Sequence, residues 1–195
     1  KEWKNDYSLY QNQIQSLELL LSPVESFRLA GFQTRSTSRI LQKWVQHSNS
    51  SKYSTGTIVC AGTGSGKTLA FYLPAMASLA EDIIENNNAH VRILAIYPRK
   101  ELLKDQFMET WEQCRKLDAT MLVRAGRKIS IGAYFGDTKK TITAAQKFLS
   151  SSAKSSIEFD LLRCKTKKCK GKMEWRKVSI DAGVEELKCS ICSHG

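Results

Sequence analysis

Eight consecutive residues, Ala61-Gly62-Thr63-Gly64-Ser65-Gly66-Lys67-Thr68, are of the types that phosphate recognition requires. Glycine at 62, 64 and 66 lets the chain turn tightly and bring bare N–H groups to an anion with no Cβ in the way. Lys67 is spaced to reach the β and γ oxygens, and the Thr68 hydroxyl to hold Mg²⁺; these two are the candidate catalytic residues. The flanks agree with this reading. Residues 56–60 are a short apolar, β-branched run, and 69–80 are apolar and helix-forming. Strand, loop and helix thus follow in the order that aims a helix N-terminus at the phosphates. The octet predicts a nucleotide-binding loop; the bland alternative is an incidental glycine-rich turn, which these flanks disfavour.

Four cysteines form a second constellation. Cys164-x4-Cys169 and Cys189-x2-Cys192, nineteen residues apart, have the spacing of a Cys₄ zinc ribbon with one pair on each of two knuckles. Four thiolates close the coordination sphere, so the expected Zn²⁺ is structural; two disulfides are the competing reading. Gly171 follows the first pair at a turn, and 173–175 and 178–180 read as short strands. Lys165, Lys167, Lys168, Lys170 and Lys172 decorate the first knuckle and are candidates for a phosphate backbone or a protein partner. Trp175 reads as a core residue or a base-stacking platform. Cys60 and Cys114 read as at least half-buried small residues, and His47, His90 and His194 are too scattered for a catalytic set.

The elements that must position these groups are legible in outline. With 195 residues, 42% of them apolar, the chain has length and composition for one core and a small appendage. Its formal charge of +11 favours a polyanionic partner, and residues 138–178 hold twelve Lys/Arg against three Asp/Glu. No apolar run is long enough to cross a bilayer and the first ten residues are polar, which predicts a cytoplasmic protein without a leader or membrane contact. Helices are predicted over 13–21, from Ser22-Pro23, and over about 36–46, 67–85 and 99–116. Strands are predicted at 56–60, 91–97 and 129–135. This alternation implies an α/β fold with a parallel sheet and flanking helices, preceded by an N-terminal helical segment. A Ser-rich break at 150–156 separates it from the cysteine module. The expected domains are 1–55, 56–150 and 157–195.

The form Ala61-x-Thr-Gly-Ser-Gly-Lys-Thr resembles that of superfamily 2 helicases and translocases. Tyr97-Pro98-Arg99-Lys100-Glu101-Leu102-Leu103-Lys104-Asp105-Gln106 resembles their motif Ia, in a style closest to Lhr-type (large helicase-related) DNA helicases. Tyr134-Phe135-Gly136-Asp137-Thr138 resembles the Tyr-x-Gly-Asp-Thr segment of the same group. The resemblance covers roughly residues 30–140 and implies a RecA-like lobe that uses ATP and Mg²⁺. It also implies nucleic-acid contacts from Pro98, Arg99, Lys100, Gln106, Gly136, Asp137 and Thr138. A strand end meeting a helix start suits a phosphodiester, which predicts salt-dependent, sequence-tolerant binding. DNA, single-stranded or with a single-stranded tail, is the expected substrate and RNA the alternative.

The chain departs from the family pattern in two places. Gly31-Phe32 resembles the start of the adenine-reading Q motif, which makes Phe32 and Arg39 candidate nucleotide contacts, yet Arg39 stands where DEAD-box proteins have Gln. Arg cannot make the paired donor–acceptor contact of an amide. No Asp-Glu pair follows an apolar strand after Thr138, so the carboxylate that positions Mg²⁺ is not visible and neither is a second lobe. The chain therefore reads as the front part of a motor that binds ATP without hydrolysing it alone. The module then resembles a zinc-ribbon insertion. A nucleotide-gated scaffold that never hydrolyses ATP is the other class. The motif style and cysteine insertion also resemble those of motors in bacterial anti-phage defence systems, with DNA repair the competing setting and protein partners of either complex implied.

Overall fold

A computed structural model of the chain describes residues 9–22, 28–49 (46–49 by backbone alone), 56–62, 64–88, 90–136, 139, 141–166, 168–184 and 186–194. The expected helix beginning at Ser22-Pro23 falls mostly outside them. The chain divides into two compact units, Lys1–Ile96 with Thr110–Ser130 and Tyr97–Glu109 with Ile131–Gly195.

The first unit is helical: α1 (Gln11–Leu21), α2 (Gly31–Asn49), α3 (Lys67–Glu85), the end of α4 (Lys100–Lys116) and α5 (Asp118–Ala125). α3 is its axis, packed against α1, α2 and α5. Ala70, Leu73, Ala77 and Ala80 recur at helical spacing on α3 and are buried. Three alanines in that stripe let neighbouring backbones approach closely. Leu17 of α1, Leu41 of α2, and Cys114, Leu117 and Met121 near α4 and α5 close over it. Cys114 donates to Met76 Sδ at 3.6 Å, and burial pushes its thiol up to about 11, so it is inert packing.

Pro74 sits inside α3 and is fully buried. Proline has no N–H, so it leaves the carbonyl four residues earlier, Ala70, without its helical donor. Ser36 of α2 repairs this: its hydroxyl donates to the Ala70 carbonyl at 3.2 Å. One hydrogen bond thus satisfies the break and ties α2 to α3.

The second unit holds the antiparallel sheet β1 (Ser156–Arg163), β2 (Lys172–Arg176) and β3 (Leu187–Cys189), in that order, with α6 (Ile142–Ser152) and α7 (Lys177–Asp181). Ile157 pairs with Trp175 and Phe159 with Met173; Met173 pairs in turn with Cys189. Thr141 caps α6 by accepting from the Ala144 N–H at 3.1 Å. Ala145, Leu149 and Ile180 form a small core, with Ile157 and Trp175 against it. The Trp175 indole donates to the Val184 carbonyl at 2.8 Å, so this ring belongs to the fold.

Three expectations are not met among the described residues. The predicted parallel sheet is not seen there: 56–60, 91–97 and 129–135 make no strand ladder, and the sheet described is antiparallel. Parallel pairing is non-local and holds where both faces are covered. Here Ile58, Val91, Leu94 and Ile96 are 90%, 81%, 78% and 83% exposed. For the same reason Cys60 is exposed rather than half-buried. Residues 178–180 belong to helix α7, because Ile180 is drawn into the small core on α6.

Ser36→Ala is expected to cost about 1 kcal/mol in denaturant unfolding of the chain, the typical net value of one hydrogen bond to a partly buried carbonyl. In a Pro74→Ala background, where residue 74 regains its N–H, the cost should fall close to zero. Equal costs in both backgrounds would break the link drawn here between serine and proline.

Candidate functional site

The glycine-rich octet ends on α3. Gly64 and Gly66 have φ of 71° and 78°, the left-handed region that favours glycine. Gly66 is the N-cap of α3 and offers no side-chain cap, which leaves the first-turn N–H groups to a ligand. Among the described residues, a Cβ on Gly62 or Gly64 would meet nothing within 4 Å, so the loop is open to them on that side. Lys67 folds back into it: its ammonium donates to the carbonyls of Ala61 at 2.9 Å and Gly62 at 2.6 Å. Ser65 donates to the Gly62 carbonyl as well, at 2.6 Å. Thr68 is half-buried on the first turn, and Thr63 lies outside the described residues.

A residue that sequence reasoning passed over braces this loop. Gln33 on α2 is buried; its Nε2 donates to the Gly66 carbonyl at 3.0 Å while its Oε1 accepts from the Ala30 N–H at 2.8 Å. A Cβ on Gly66 would stand 2.7 Å from that Nε2, so a side chain there would displace the Gln33 amide; the φ of 78° favours glycine in its own right. Phe32, beside Gln33, is half-buried. Arg39 is exposed further along α2, and no hydrogen bond among the described residues joins it to the loop.

The stretch 97–106 leads into α4 and forms its first two turns. Pro98 and Arg99 are exposed, and the Arg99 carbonyl accepts from the Leu103 N–H at 3.1 Å. Lys100 holds its ammonium 5.0 Å from the ring centre of Phe135, the neighbour of Gly136, so these two stretches meet within the second unit. Lys104 pairs with Asp160 of β1, and Gln106 is half-buried. Gly136 is exposed; Asp137 and Thr138 lie outside the described residues.

The four cysteines converge. Their sulfurs all lie within 4.8 Å of one another and none is in a disulfide. Cys164 and Cys192 are 3.4 Å apart and Cys169 and Cys189 3.6 Å. Tetrahedral zinc with Zn–S bonds of about 2.3 Å places its sulfurs about 3.8 Å apart, so the set fits that ion. Each knuckle turns its amides onto sulfur: Thr166 donates to Cys164, Gly171 to Cys169 and Ile191 to Cys189, all at 3.4 Å. Such bonds favour thiolates. The Thr166 hydroxyl, with the His194 N–H and Cys164, brings Cys192 down to about 6. The N–H groups of Cys192 and Ile191 lower Cys189. At Cys169 the Gly171 N–H acts in the same sense, but burial and the other three sulfurs outweigh it and push that thiol up to about 12. A cation entering the cluster would displace the protons these sulfurs share.

A family model described as DEAD/DEAH box helicase matches residues 32–161. The chain belongs to the DEAD/DEAH box helicase family. Among curated relatives, Druantia protein DruE of Escherichia coli (strain UMEA 4076-1) is 31% identical over 87 residues, covering 42% of this chain and 5% of that protein. The chain thus spans a small part of that relative's length. No solved structure matches. The helicase match contains the phosphate loop and the start of α4 and stops within β1, so all four sulfurs lie beyond it.

The sulfur cluster leaves no room beside Gly171, where a Cβ would lie 2.2 Å from Cys189 Sγ. The helicase chain is expected to hold one zinc per molecule by elemental analysis. Gly171→Ala should lose most of it, and chelation should unfold the ribbon in the parent chain. Full zinc retention by Gly171→Ala would show that the cluster is not the metal site.

Proposed function

We propose that this chain is the first RecA-like motor lobe of an ATP-dependent superfamily 2 DNA helicase or translocase, carrying a structural zinc ribbon. One observation carries the nucleotide half: the uncapped N-terminus of α3 behind a loop whose left-handed glycines leave it open. Ala61 to Thr68 would cradle ATP. Lys67 would leave the two carbonyls it now holds to meet the phosphates, and Thr68 would ligate Mg²⁺. Gln33 fixes the Gly66 peptide and so positions the loop; Phe32 and Arg39 lie on the helix proposed to face the base. Bound ATP supplies the phosphoryl group whose transfer drives movement, and the carboxylate for that step is assigned to the complete motor.

The nucleic-acid half rests on the 97–106 stretch and Gly136, brought together by Lys100 and Phe135. Pro98, Arg99, Lys100 and Gln106, with Gly136, Asp137 and Thr138, form the proposed backbone contact. The form of that stretch favours DNA over RNA. The zinc ribbon, through Cys164, Cys169, Cys189 and Cys192, is the proposed third domain after the 1–55 helical segment and the 56–150 lobe. No described helix is long and apolar enough to cross a membrane, in keeping with a proposed cytoplasmic site of action. Anti-phage defence is the proposed setting, on the motif style; the match to Druantia protein DruE points the same way. A nucleotide-gated scaffold that binds ATP without hydrolysing it is the second reading.

Calorimetric titration of ATP-Mg²⁺ tests the first half. Lys67→Ala should weaken binding at least about tenfold by removing a charged phosphate contact, and Gln33→Ala about fivefold by freeing the loop. Nucleotide affinity indifferent to Lys67 would sink the proposal. Competition between DNA and RNA strands of equal length decides the substrate, and ATP turnover by a complete motor separates the helicase from the scaffold.

A further inference from the structure

We propose that the first knuckle of the ribbon, residues 163–172, is a contact surface for the phosphate backbone of single-stranded nucleic acid, with Arg163, Lys168 and Lys170 as the contacting cations. The proposal rests on the reading of the chain as a nucleic-acid motor, and it adds a second contact to the one at the start of α4.

The stretch Arg163-Cys-Lys-Thr-Lys-Lys-Cys-Lys-Gly-Lys has six basic residues and no acidic one. Arg163, Lys165, Lys168, Lys170 and Lys172 are all exposed. Most nearby carboxylates are already engaged. Glu158 holds Lys172 at 2.7 Å, Asp160 pairs with Lys104, Glu174 holds Arg176 at 3.0 Å and Glu186 holds Lys188 at 3.2 Å. Among the described residues, Arg163, Lys168 and Lys170 make no ion pair. Three uncompensated cations on one short turn are an electrostatic footprint for a polyanion.

The backbone of Lys168 adds an independent argument. Its φ is 66°, in the left-handed region that a non-glycine side chain enters at a cost. Glycine would close the same knuckle without that cost, so here the turn carries an ammonium at the expense of local stability. The knuckle is also held firmly. β1, which leads into it, is joined to α4 by the Lys104–Asp160 pair and by the Phe107 and Phe159 rings, 6.1 Å apart edge to face. Both proposed contact segments therefore belong to one compact unit.

The test uses the full zinc-loaded chain and labelled oligo-dT and oligo-U strands, titrated at several salt concentrations. Lys168→Gly relieves the left-handed residue and should keep its zinc, yet bind the strand more weakly, with a shallower salt slope by about 0.7. The triple variant Arg163→Ala/Lys168→Gly/Lys170→Ala should lose about tenfold or more in affinity at low salt and about two units of slope. If the triple variant sheds its metal, the single variant decides. Unchanged affinity and slope in the ribbon variants, beside a loss in Arg99→Ala, overturns the knuckle contact and leaves the motor reading standing. So does lost zinc affinity with unchanged strand binding, which would mean that the lysines serve only to balance the thiolate charge. Failure of the parent chain to bind any strand overturns both.

Discussion

Burial of one face of α3 is the constraint on which the first unit depends. Its Ala70–Leu73–Ala77–Ala80 stripe is small enough for close approach and apolar enough to reward it, and α1, α2 and α5 are arranged around it. The helix that forms this axis also begins at the glycine-rich loop, so the packing of its body fixes the direction of its N-terminus. Two side chains of α2 make the connection explicit. Ser36 reaches Ala70 where Pro74 has broken the ladder, and Gln33 reaches Gly66 where the loop becomes helix. Core and loop are therefore tied to the same pair of helices.

The second unit is organised differently. Its apolar cluster is small, centred on Ala145, Leu149 and Ile180, and its strands are short. A sheet of this size gains little from burial. Four sulfurs gathered at the β2–β3 end, each knuckle folded back on its own amides, would supply the missing closure if a metal joined them. The fit at Gly171 shows how tightly this is drawn: sulfur occupies the volume a methyl group would need.

Chemistry that depends on local spacing was legible in the sequence. The start of α3, the start of α4 within a residue, and the gathering of the four cysteines follow from turns, caps and ligand spacing. What depended on distant partners was not. Gln33 and Ser36 look like ordinary polar residues on a helix until α3 lies beside them. Val178-Ser179-Ile180 has the β-branched composition of a strand, yet a neighbouring hydrophobic cluster turns it into a helix. Helix α6 was hidden by the serines at its end, although Thr141 marks its start. The apolar runs at 56–60 and 91–97 suggest strands, but a ladder needs partners and cover that local pattern does not supply.

The position of Lys67 bears on how affinity at such a loop is set. With its ammonium held between the Ala61 and Gly62 carbonyls, the loop is its own counter-ligand, with charge and dipoles mutually satisfied. A bare phosphate ion therefore meets an opponent already in place, and only an anion able to outbid two carbonyls for that ammonium turns it outward. In the nucleotide-binding role proposed for it, such a loop would discriminate by the strength of the anion before any base is read, and weak anions would be held off by the lysine's own grip.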